Sequence, residues 1–165
     1  MTCTSAEAAK LLSKLNEERS LLARFENQSR TFLASVGEDV ESVRPAYDYE
    51  KTRDELKALD KKIRAVKHAI NVFNATAVIP DFGMTIDEML VYLPQLSDRK
   101  RTLGIMAAAL PKTREPIKSN IIDYTYVNYD LETVKSDLEA VTDELSRAHI
   151  ALDAVNHSAT FEIEL

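Results

Sequence analysis

A chain of 165 residues, 45% apolar and 29% charged, is long enough for one domain with a sizeable core and too apolar to be disordered. Its net charge of −6 argues against non-specific binding to nucleic acid or anionic membranes. The single cysteine, Cys3, excludes an intrachain disulfide and a cysteine zinc site, while three glycines and no tryptophan suit long helices joined by few turns.

The opening MTCTSAEAAK has no apolar run of the kind a signal peptide needs, so a cytoplasmic location is expected, with Cys3 in a frayed terminus. A first helix opens at Thr4 or Ser5, where Thr4 and Glu7 make a capping box. Its apolar stripe runs Leu11, Leu15, Leu22, Phe25, Phe32, Val36, and Gly37 is a natural stop. After the polar loop around GEDVESVRPA comes a second stripe, Tyr49, Thr52, Leu56, Leu59, Ile63, Val66, Ile70, Phe73, in unbroken steps of three and four.

DFG at 81–83 is the magnesium triplet of protein kinases, but no glycine-rich loop, strand lysine or catalytic-loop signature accompanies it. It reads as a tight turn before a helix. That third helix starts at Thr85, again with a capping box, to Glu88. Its stripe is Ile86, Met89, Leu93, Leu96, Leu103, Ala107, Leu110, and Pro94 inside it should kink or divide it. The fourth helix is capped by Asp130 and follows Leu131, Val134, Leu138, Val141, Leu145, Ala148, Leu152, Val155.

Three short pieces alternate with period two instead: 76–79 (TAVI), 121–129 (IIDYTYVNY) and 160–165 (TFEIEL). The fold expected is therefore mainly α, with four long helices in an antiparallel bundle or coiled-coil hairpins and these minor strands. Counting helix directions puts TAVI and TFEIEL at one pole, where they would pair, and the tyrosine strip at the other, near Val40 and Val43. INVFNATAVI (70–79) and LDAVNHSATFEI (152–163) each close a heptad stripe with an asparagine, then small polar residues, then a strand. That echo suggests one domain, 1–165, made of a duplicated helical hairpin: 5–79 and 85–165.

NATAVI after the second helix, MTIDEML opening the third and LDAVNHSATFEI closing the chain resemble the septicolysin-like family of small bacterial proteins. The resemblance runs from about Lys57 to the end. It implies a helical, coiled-coil-rich fold and a bacterial origin, and little about activity.

Catalytic groups are sparse. His68, His149 and His157 have no glutamate three residues before them, as a di-iron bundle would need, and Asp153 with His157 reads as a surface pair. Acidic doublets such as Asp87–Glu88 point about 100° apart on a helix and suit solvated faces or N-terminal dipole partners. No phosphate loop, nucleophile elbow or dinucleotide fingerprint occurs, so neither catalysis nor a cofactor is expected.

The sites that stand out are aromatic and basic. Ile122, Tyr124 and Tyr126 share one strand face, with Tyr129 on the other, which suits a strand that joins a neighbouring subunit or, as the alternative, rings that line a ligand pocket. Six basic residues (Arg99, Lys100, Arg101, Lys112, Arg114, Lys118) face the single Glu115 across 99–118, whereas 132–165 holds two basic and eight acidic residues. The reading that follows is a non-catalytic, self-associating helical protein. Two alternatives stay open: a single-stranded nucleic-acid module using the basic region with Tyr124 and Tyr126, and a membrane-active protein of the kind the family name suggests. Asp123 and Asp130 beside the strip weigh against the first. The second would have to act without a spanning helix, since no apolar run approaches ~20 residues.

Overall fold

The two capping boxes set where two of the helices begin. In the computed structural model, which describes residues 1–116 and 122–164, the Thr4 hydroxyl accepts the Glu7 N–H at 3.2 Å and the Glu7 carboxylate accepts the Thr4 N–H at 2.9 Å. Thr85 and Glu88 repeat the exchange at 3.2 and 2.7 Å. Each box satisfies two backbone groups that the first helical turn would otherwise leave unpaired. The protein is mainly α. The described residues form four helices, α1 (Ser5–Ser29), α2 (Tyr49–Thr76), α3 (Ile86–Ala107) and α4 (Leu131–Ser158), and six short strands, β1 (Thr2–Thr4), β2 (Val78–Ile79), β3 (Met84–Thr85), β4 (Lys112–Arg114), β5 (Tyr124–Tyr126) and β6 (Thr160–Glu162). These resolve into two compact units, Met1–Asn74 with Asn156–Leu165, and Ala75–Val155.

In the first unit α1 and α2 run antiparallel. Arg19 bonds Asp60 at 2.5 Å across them, and further along the Tyr47 hydroxyl, just before α2, donates to Glu26 at 3.3 Å. Cys3, Ala8, Leu15, Val66 and Ile163 form the buried cluster, flanked by Leu11, Leu59, Ile63 and Ile70 from the expected stripes. Cys3 is not frayed. It lies in β1, which pairs antiparallel with β6 in the register Thr2↔Glu162, Cys3↔Phe161, Thr4↔Thr160. Burial there pushes its thiol pKa up. Phe161 in turn stacks on Phe73, ring centroids 4.5 Å apart.

The first stripe overran its helix. α1 ends at Ser29, and Leu33 and Val36 are fully exposed. The cause is local: Asn27, Ser29 and Thr31 favour non-helical backbone, and α2, with Pro45 shortly before it, does not start until Tyr49, so a longer α1 would have no helix to lie on.

The second unit is another antiparallel helical hairpin. The Tyr92 hydroxyl on α3 donates to Glu144 on α4 at 2.6 Å, a bond that raises the Tyr92 pKa. Ile86, Met89, Leu93, Leu96 and Leu103 are buried, following the expected α3 stripe, with Val134, Ala148 and Leu152 from α4. Pro94 does not divide α3, which runs unbroken from Ile86 to Ala107 with the proline on its exposed side. Leu110, expected at the end of that stripe, lies beyond the helix and is exposed. Asp130 caps α4, accepting the Thr133 N–H at 2.8 Å and the Thr133 hydroxyl at 2.6 Å, and these bonds lower its pKa.

TAVI and TFEIEL do not pair with each other. Thr76 still belongs to α2, and β2 turns straight back onto β3 with Val78↔Thr85 and Ile79↔Met84. The turn is the DFG segment: Phe82 and Gly83 both donate to the Ile79 carbonyl, and Gly83 adopts φ +63°, a conformation that favours glycine. β1 and β3 carry no period-two pattern of their own, because each is only two or three residues long and ends in a capping threonine.

Candidate functional site

The tyrosine strip becomes one strand of a two-stranded ribbon. Its partner is not the Val40–Val43 loop but β4, in the register Lys112↔Tyr126, Thr113↔Thr125, Arg114↔Tyr124. Of the 121–129 stretch only Tyr124–Tyr126 is strand, and Ile121 lies outside the described residues. Residues opposite each other share a face, and the face alternates along each strand. One face therefore carries Lys112, Arg114, Tyr124 and Tyr126, and the other carries Thr113 and Thr125 with Glu115 and Asp123.

That sorting separates the charges. The Lys112 ammonium sits 4.0 Å from the centre of the Tyr124 ring and 5.4 Å from that of Tyr126, and the two rings lie 6.5 Å apart, tilted by 50°. On the opposite face the Thr125 hydroxyl donates to Glu115. Asp123 thus faces away from the rings, and Asp130 is engaged as the α4 cap. Ile122, Tyr124 and Tyr126 are 54%, 44% and 61% exposed.

Tyr129 has a different place. It is half-buried, and its hydroxyl donates to the Met106 carbonyl at 2.9 Å, tying the segment before α4 to the last turn of α3. This bond fixes the base of the ribbon.

Among the six basic residues, the structure puts Lys112 and Arg114 on the tyrosine face. Arg99, Lys100 and Arg101 remain on α3, where Arg101 bonds Asp98 in the same helix. Lys118 lies outside the described residues. One sign of β4 lies in the sequence itself: a charged–threonine–charged alternation between Pro111 and Pro116. With no apolar residue in it, KTR carries no hydrophobic pattern to mark a strand.

No protein-family model and no curated protein matches the chain. Its fold is similar to that in the crystal structure of a functionally unknown conserved protein from Corynebacterium diphtheriae. The two share 17% identity at a TM-score of 0.62, over 98% of this chain and 100% of that one. At such identity the likeness is one of fold. Among the described residues no helix is long and apolar enough to cross a membrane.

Proposed function

We propose that the chain is a non-catalytic, self-associating structural or interaction protein, that it works in the cytoplasm, and that the β4–β5 ribbon is its contact surface. One observation carries this reading: the ribbon and the segment just before β5 present two large aromatic residues and Ile122 to solvent, on a sheet that among the described residues has two strands. Such a ribbon is marginal alone in water, and further strands or a covering surface stabilise it. The resemblance to the septicolysin-like family belongs to the same proposal. It rests on the helix-to-strand junctions and adds no activity.

The test is the solution mass by light scattering for wild type and Tyr124→Ser/Tyr126→Ser. A multiple of 18.6 kDa that falls in the variant supports the reading, and a folded monomer in both rejects it. A second reading, a single-stranded nucleic-acid module, gains from the position of Lys112 over both rings and of Asp123 on the opposite face. It requires a salt-dependent mobility shift on a single-stranded oligonucleotide that disappears when Lys112 is replaced by Glu.

A further inference from the structure

The backbone of the ribbon is more specific than its side chains. The Glu115 N–H donates to the Asp123 carbonyl at 3.0 Å and the Val127 N–H to the Pro111 carbonyl at 3.3 Å. In an antiparallel ladder, pairs that exchange hydrogen bonds alternate with pairs that do not. Thr113 and Thr125 are therefore a bonded pair. Tyr124 and Tyr126 are not bonded to their opposites, and their own N–H and C=O groups point outward, along the free edge of β5.

The two edges differ. The edge of β4 carries Lys112 and Arg114, the kind of charge that keeps a strand from pairing further. The edge of β5 reads Tyr-Thr-Tyr, uncharged and of high strand propensity. Among the described residues no third strand covers it.

We infer that two copies of the chain join edge to edge through β5, antiparallel, with Thr125 on the two-fold axis. This deepens the self-association reading and rests on it. In this register Tyr124 lies opposite Tyr126 of the second copy, and the outward N–H and C=O groups of each meet those of the other. Thr125 lies opposite its own copy in a non-bonded position, as it must, since its backbone groups are already used by Thr113. The result is a continuous sheet in the order β4, β5, β5, β4, with the tyrosines of both copies side by side on one face and Lys112 and Arg114 flanking them.

Other pairings fail on the same grounds. Joining β4 to β4 in the equivalent register would set Lys112 opposite Arg114, like charges directly across from each other. Joining β4 to β5 would be head-to-tail, with no closing symmetry, and would grow into a filament.

The experiment combines mass and cross-linking on the full chain. Thr125→Cys places two thiols across a non-bonded pair, Cα atoms about 4.5 Å apart, inside the ~4.4–6.8 Å range a disulfide tolerates. Thr113→Cys places them three strand spacings apart, about 14 Å. The native Cys3 is buried in β1 and serves as background. Under mild oxidation Thr125→Cys is expected to give a covalent dimer, and Thr113→Cys none. Tyr126→Pro deletes one outward donor but none of the bonds to β4, so it should yield a folded monomer. If wild type is a dimer, Tyr126→Pro stays dimeric and Thr125→Cys does not cross-link, self-association stands and this interface is overturned. If wild type is a folded monomer, both fall.

Discussion

Residues 30–48, which join α1 to α2, are irregular turns with Leu33 and Val36 fully exposed, whereas residues 108–130, which join α3 to α4, hold the β4–β5 ribbon. At the other end of the helices the two helix-to-strand junctions are built alike. Asn74 and Asn156 each stand two residues before the end of α2 and α4, and each helix leads through one alanine, Ala77 or Ala159, into a strand. Each receiving strand, β3 or β1, ends in the capping threonine of the next helix. The alike ends are buried, with Ile79 at 0% and Ile163 at 1% exposure. Among the described residues the unlike ends are mostly exposed. The contrast separates two jobs: the β1–β6 ladder lies within the first unit and the β2–β3 ladder within the second, each helping to hold its unit together, whereas the helix-joining segments are free to differ.

The largest effects should follow from breaking the alike ends. Ile79→Ala and Ile163→Ala each remove a fully enclosed aliphatic side chain and should each cost about 2–5 kcal/mol, read as a lower urea midpoint. Equal losses would mean the two junctions are energetically equivalent. A loss under about 1 kcal/mol for Ile163→Ala would show that β6 contributes little to its unit, despite its register with β1.

This contrast also marks what the sequence could reveal. The helices were legible because long stripes average over many residues, and the buried Leu93, Leu96, Val134 and Leu152 all lie on them. Both capping boxes were legible because they are short-range and chemically specific. Strand pairing was not. β2 could meet β6 or β3, and only the tight Gly83 turn decides it, while β1 was hidden in a terminus with nothing beside Cys3 to mark it. At the candidate site the tyrosines were visible, but their face was not. That depended on Lys112–Arg114, a strand with no apolar residue to announce it.

A smaller effect sharpens the comparison at the two capping boxes. Thr4→Ala and Thr85→Ala should each cost about 1 kcal/mol, since each leaves a first-turn N–H without its acceptor. The second box should also carry an acid sensitivity. Hydrogen bonds from the Thr85 backbone and hydroxyl hold the Glu88 carboxyl below its ordinary value. A carboxyl with a lowered folded pKa contributes stability above its unfolded pKa of about 4.3, and that contribution is lost as pH falls through the lowered folded value. Glu88→Gln should therefore flatten the loss of stability below about pH 4.3, measured as thermal midpoint against pH. An unchanged acid limb in this variant would remove Glu88 as a source of the dependence.

The smallest effect belongs to the unlike ends, and it tests whether exposure there is functional or incidental. Leu33→Ser/Val36→Ser replaces two side chains that touch little, so stability should move by no more than about 0.5 kcal/mol per site. The solution mass should also stay that of wild type, because the proposed contact lies on the ribbon and not on this loop. Tyr124→Ser/Tyr126→Ser should likewise spare the helices by circular dichroism while lowering the mass. The two double variants differ in one readout only, and that readout assigns the assembly surface. Should the Leu33/Val36 variant lose mass and the tyrosine variant keep it, the contact surface moves to the α1–α2 loop, and the ribbon's exposed rings must serve a ligand instead.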